Sequence, residues 1–166
     1  MNDHADQQTN ITVRLPAGPL RRVHDYWAAG VADGLLPGRQ DLRPEDLTDI
    51  LGHLFLIDAP EAGRYRYRLI GTRVAEWSGG DATGRYLDDP VCGESRFRFI
   101  DLVHGVVETH RPMATLGEPA IFGGSAFLFD RLMLPLAADG RNVDMILGVA
   151  DMKPGPTGGG RRSLSA

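Results

Sequence analysis

The sequence predicts an α+β domain: a five-stranded antiparallel sheet with helices on one face, preceded by N-terminal helices. Three observations carry this reading. Residues alternate strictly from Arg64 to Leu69, which makes a strand with one apolar face and one arginine face. That period switches at Gly71-Thr72 to a helical turn, and Gly79-Gly80 stops it. Two pairs of strand-like segments, each joined by turn chemistry, then flank a helical insert.

The elements follow in order. Residues 1–17 form a loose polar leader and residues 18–52 an N-terminal helical extension. Leu20, Val23, Trp27 and Val31 fall on one helical stripe, with Tyr26 beside it. Gly30 and Gly34 weaken the end of that helix. Pro44 suits a first helical position, Glu45 and Asp46 suit the positive end of the helix dipole, and Gly52 suits a stop. The core then runs over residues 53–151. His53 to Ala59 reads as a buried strand, Pro60 to Gly63 as a turn, and Arg64 to Ile70 as the hairpin partner. Thr72 to Ser78 is helical, and Gly79 to Asp89 is loop. Ser95 caps a longer helix to about His110, which Arg111-Pro112 ends. Met113 to Phe122 is a strand interrupted by Gly117 and Pro119. Ala126 to Leu136 and Arg141 to Ala150 are the last two strands, joined through Asp139-Gly140. Residues 152–166 hold Pro154-Gly155-Pro156 and Gly158-Gly159-Gly160, too little apolar surface to bury, and read as a disordered tail.

Composition narrows the function classes. The 166 residues are 42% hydrophobic and 24% charged, ordinary for a soluble globular protein. A net charge of −4 gives no electrostatic case for a nucleic-acid partner. The lone cysteine, Cys92, excludes an internal disulfide and a cysteine-rich metal site. The start of the chain lacks the apolar segment of a signal peptide, and no run approaches the about 20 apolar residues of a membrane span. A cytoplasmic protein without membrane insertion is the expectation.

The element order resembles a PAS domain, and particular residues extend the likeness. They are Tyr26-Trp27; Leu36-Pro37 with Arg39 and Asp41; the run Arg66-Tyr67-Arg68-Leu69-Ile70-Gly71-Thr72; and Gly80-Asp81-Ala82-Thr83-Gly84. Arg111-Pro112 and Leu134-Pro135-Leu136 followed by Asp139-Gly140 complete the set. Together they resemble a bacterial PAS subfamily whose members are often single-domain proteins, over roughly residues 20–150. The resemblance implies sensing, homodimerisation and contact with a signalling protein such as a histidine kinase. Residues 20–150 consume the fold, so any signal is expected to leave through a noncovalent partner.

A PAS cavity lies between the inner sheet face and the central helices. Its walls here are expected from Tyr67, Leu69, Trp77, Phe99, Val103, Met133 and Met145, with His104 and Arg131 as polar groups aimed inward. The alternative for the apolar set is plain core packing. His104 and His110 on the long helix raise haem, without supporting ligand context. Cys92 before Arg96-Phe97 echoes a flavin-binding relative, but Gly93-Glu94-Ser95 intervene and the ring-holding amides are missing. No cofactor and no metal are therefore expected. Gly79 to Gly84 lacks the lysine of a phosphate loop and reads as a turn fixed by Asp81 and Thr83. Arg64, Arg66 and Arg68 form either a solvated face paired with acids such as Asp130 or Asp144, or a docking surface for an acidic partner. Tyr26 and Trp27 either cover the core or sit in a dimer seam. Arg39 and Asp41 are expected to pair and anchor the connector.

Three functional readings remain. The first is a noncatalytic module that modulates a signalling partner. The second is a receptor for a small metabolite. The third is a small cavity enzyme using His104 with Asp101 or Asp144 as acid and base, although the chain has no nucleophile elbow, HExxH or triad spacing.

Overall fold

The computed structural model describes residues 15–61 and 63–156. Helix α1 (Pro19–Ala29) comes first, followed by short 3-10 turns at Arg39–Asp41, Pro44–Leu47 and Leu51–His53. Strands β1 (Leu54–Asp58) and β2 (Arg66–Ile70) form the first hairpin. Helix α2 (Thr72–Trp77), a 3-10 turn at Pro90–Cys92 and helix α3 (Arg96–Thr109) follow. Strands β3 (Met113–Phe122), β4 (Ser125–Leu136) and β5 (Met145–Pro154) close a single sheet in the order β2-β1-β5-β4-β3. Every pairing is antiparallel, as expected of this fold class.

The pleat sorts the sheet's side chains onto two faces. Leu54, Leu56, Leu132, Leu134, Leu136, Leu147 and Val149 pack with α1 and the 3-10 turns. Phe55, Ile57, Met133, Ile146 and Ala150 pack with α2 and α3. The two central helices thus share one face, and the N-terminal extension covers the other.

Trp27 is the anchor of that extension. It is 2% exposed, and its indole N–H donates to the Pro135 carbonyl at 2.8 Å. It therefore belongs to the core and not to a dimer seam. Tyr26 is half-buried; its hydroxyl accepts from the Arg43 N–H at 2.9 Å and donates to Asp46 at 3.4 Å. Asp41 accepts from the Gly38 N–H at 2.8 Å, so it fixes its own turn in place of the expected pairing with Arg39.

The edges of the core differ from the sequence reading. Leu15 is fully buried, and the Arg21 guanidinium donates to its carbonyl, so packing begins within the expected leader. β5 continues to Pro154, because the long β4 offers pairing partners as far as Phe127. Residues 1–14 and 157–166 of the expected leader and tail lie outside the described residues. The expected helix after Pro44 is two 3-10 turns. Ser95 precedes α3, but its side chain makes no capping bond. His110 ends α3 in the left-handed conformation.

Candidate functional site

A cavity of about 580 Å³ opens between the inner sheet face and the central helices. Its aromatic wall consists of Phe55, Tyr67, Trp77, Phe99, Phe122 and Phe129. Five of the rings form two sets of contacts. Phe55 meets Tyr67 and Phe99 edge-on at 6.5 and 6.0 Å, and Tyr67 stacks on Phe99 at 6.3 Å. Trp77 meets Phe129 edge-on at 6.1 Å and His53 at 5.5 Å. His53 in turn shares a hydrogen bond with the Ala150 carbonyl at 2.9 Å.

Gly148 makes the position of Phe55 possible. The two residues face each other across β1 and β5, and the Phe55 ring lies over the glycine where a Cβ would overlap Cε2 and Cζ. No larger side chain leaves that room.

Arg131 is the polar wall group packed most closely on the rings. Its side chain is 19% exposed, ion-paired to Glu118 at 2.5 Å, and lies over the rings of Phe99 and Phe129 at 4.8 and 5.4 Å. Arg98 reaches the same glutamate at 3.2 Å. A bulge in β3 brings Glu118 there, since Leu116 and Gly117 together oppose Asp130. Gly117 takes a positive φ of 69° and donates its N–H to Asp130 at 2.7 Å. Asp130 also accepts from Lys153 at 2.9 Å. Burial pushes the Tyr67 phenol well above its ordinary value, with Cys92 adding and Arg131 opposing.

Of the expected wall residues, Tyr67, Trp77, Phe99 and Arg131 line the cavity. Val103 and Met133 are fully buried in the core behind it. Leu69 and Met145 face the opposite side of the sheet. A bulge at Arg68 explains Leu69: Tyr67 pairs with Ile57 but Leu69 with Leu56, so the strand changes face and Ile70 takes the inner position. Leu69 is left 46% exposed.

His104 is not in the cavity. Its side chain is 55% exposed, sharing a hydrogen bond with the Tyr65 hydroxyl at 2.7 Å and facing Glu108 at 3.1 Å. Glu108, not Asp101 or Asp144, is its carboxylate neighbour. Asp144 instead accepts from the Ala138 N–H.

The arginines of the first hairpin also differ in their partners. Arg66 and Arg68 both pair with Asp58, at 3.0 and 3.6 Å, and Arg64 pairs with Asp88 while lying 3.7 Å over the Tyr86 ring. Asp81 fixes its turn by accepting from the Thr83 N–H and hydroxyl, at 2.9 and 2.6 Å. Cys92 lines the cavity mouth; its thiol donates to the Tyr86 carbonyl, and burial raises its pKa.

Sequence reasoning missed Phe55, Ile70, Phe129 and Met152 in this wall. The paired alternation of β4 and β5, had it been carried past Ala150, would have placed Phe129 beside Met152.

The sequence matches the PAS domain family over residues 16–151. The chain belongs to the PAS domain family. No curated protein was found to match it. Among solved structures it is similar to the PAS domain of the histidine kinase ThkA, with 16% identity and a TM-score of 0.44, covering 60% of this chain and 98% of that one. A light-oxygen-voltage domain studied with a flavin analogue matches at 17% identity and TM-score 0.48, covering 69% and 87%. The PAS domain of Bordetella pertussis BvgS matches at 13% and 0.42, covering 65% and 82%. Among the described residues of this PAS domain, no helix is long and apolar enough to cross a membrane, and no cluster of metal-ligating side chains occurs.

Proposed function

We propose that this PAS domain is a noncatalytic, cytoplasmic sensory module that modulates a bacterial signalling partner, such as a histidine kinase, by protein contact, with a small ligand in the cavity setting that contact. The cavity between the sheet and the central helices, in a chain of this family, is the observation that carries the reading. A ligand acts as a signal only if it favours one conformation over another. Trp77 offers such a lever, because it lines the cavity and also touches His53 at the entry to β1. The partner-facing candidates are Arg64, Arg66 and Arg68, which remain about half exposed despite their ion pairs.

A pull-down from the source cytosol tests the partner contact. It should recover a signalling protein, and Arg64→Ala with Arg68→Ala should weaken the capture. Recovery of this chain alone would count against the reading. Homodimerisation is part of the same proposal, supported by a leucine-lined groove of Leu51, Leu54, Leu56, Leu69 and Leu147 that α1 leaves open. Native mass spectrometry reports the oligomer and any co-purified ligand together, and Leu69→Asp should shift a dimer to monomer.

A further inference from the structure

Among the described residues, four buried side-chain polar atoms lack a hydrogen-bond partner, and two of them belong to one cavity wall: Arg96 Nε and Arg131 Nε. A buried donor without an acceptor is costly, so such donors mark where an acceptor is missing. Four arginines line this cavity, Arg85, Arg96, Arg98 and Arg131, against two acids, Asp81 and Glu118. The acids are already engaged. Asp81 closes its own turn with Thr83, and Glu118 is shared by Arg98 and Arg131. Arg85 pairs with Asp89 outside the wall. Arg96 bonds a backbone carbonyl, that of Gly93, lies over the Phe97 ring and feels the charge of Asp89 without a hydrogen bond to it.

The local backbone adds to this excess. The first turn of α3 holds no acid and no side-chain cap, so its positive end is not neutralised where Arg96 and Arg98 stand. Most of the remaining wall is apolar, with Trp77 and Phe129 among aliphatic side chains such as Ile70, Val74 and Met152, and the volume falls within the range of about 300–1,000 Å³ usual for small-molecule sites. The Arg131 guanidinium carbon lies 4.8 and 5.4 Å from the Phe99 and Phe129 ring centroids, and the planar fork of a guanidinium is matched by a carboxylate.

We propose that the cavity binds a small aromatic carboxylate, its carboxylate accepting from Arg131 in the field of Arg96 and its ring lying against Trp77 and Phe129. This rests on the sensory reading above and adds the chemical class of the ligand.

Calorimetric titration of the full chain with 2-naphthoate and with neutral 2-naphthamide tests it. The two share a ring system and differ in charge. Naphthoate should bind at least about tenfold tighter, and 13C-labelled methionine methyl spectra should show the Met152 signal moving with either probe. Arg131→Met should abolish the preference by weakening naphthoate binding far more than naphthamide binding. Should Arg131→Met fail to fold, Arg96→Met should still reduce the preference severalfold. Equal affinity for the two probes, or an unchanged preference in the variants, overturns the anion assignment and leaves the cavity as a receptor. Binding of neither probe overturns both the ligand class and the cavity's receptor role. Partner capture is scored separately in the pull-down, so loss of either result is distinguishable from loss of the other.

Discussion

Gly148→Ala should be among the most damaging single-methyl changes in this domain. The added Cβ would overlap Phe55 Cε2 and Cζ. Carbon pairs rest at about 3.5–4.0 Å, so the ring would have to retreat by more than about 1 Å. Its retreat is blocked by Phe99 and Tyr67, which already pack edge-on against it. Overpacking of this kind costs about 1–3 kcal/mol. A loss near the middle of that range lowers Tm by roughly 4–8 °C at this chain length. Phe55→Leu relieves the overlap but leaves space of its own, so alone it also destabilises. The double variant should be more stable than the sum of the two single losses by about 1 kcal/mol or more, a coupling expected only of residues in contact. Urea unfolding followed by circular dichroism measures all four corners of the cycle. Additive losses, or a Gly148→Ala variant as stable as the parent, would refute the account of this contact.

Three further outcomes are expected. Trp27→Phe removes the donor to the buried Pro135 carbonyl and should cost about 1–3 kcal/mol, read as a lower urea midpoint; an unchanged midpoint would mean α1 is not anchored there. The buried Tyr67 phenol stays neutral in the folded chain after its unfolded counterpart, near 10.0, begins to ionise. Its contribution is therefore fully present below pH 10 and lost as pH rises further, and Tyr67→Phe should flatten the alkaline fall in stability. Asp139 is held down to about 2 by the Asn142 and Arg141 backbone N–H groups and the Asn142 side chain. Its contribution is present above its ordinary value of 3.8 and lost as pH falls toward 2, so Asp139→Ala should remove that part of the acid sensitivity while loosening the β4–β5 turn.

The hairpins, the central helices and the sheet class were legible because each rests on local signals: turn residues, a change of period, an apolar stripe. What was not legible depends on pairing. Arg64 to Leu69 alternates without a break, and nothing in those residues announces that Arg68 bulges and that Leu69 therefore faces away from the cavity. Likewise Met152-Lys153-Pro154 looks like the end of a chain's folded part. It is strand because β4 is long enough to pair with it, and because Lys153 reaches Asp130. His104 sits next to an apolar stripe in sequence, yet one position along a helix is a rotation of about 100°. That rotation takes its ring out of the core while Val103 stays fully buried. Tyr67, Trp77 and Phe99 were legible from a strand alternation and two helical stripes; Phe55, Phe129 and Met152 lie on β1, β4 and β5, and Ile70 follows the β2 bulge, so these needed the register.

The single sheet separates two cores that share the same three strands. Leu54, Phe55 and Leu56 are consecutive, yet the first and third serve the α1 side and the second forms the cavity wall. Neither side is insulated from the other. Phe55 lies over Gly148 on the cavity side, while Leu54 and Leu56 of the same strand carry the surface on which the amino-terminal helix is seated. The partition that keeps the cavity apart from α1 is thus a party wall, one strand thick, whose two surfaces belong to different rooms.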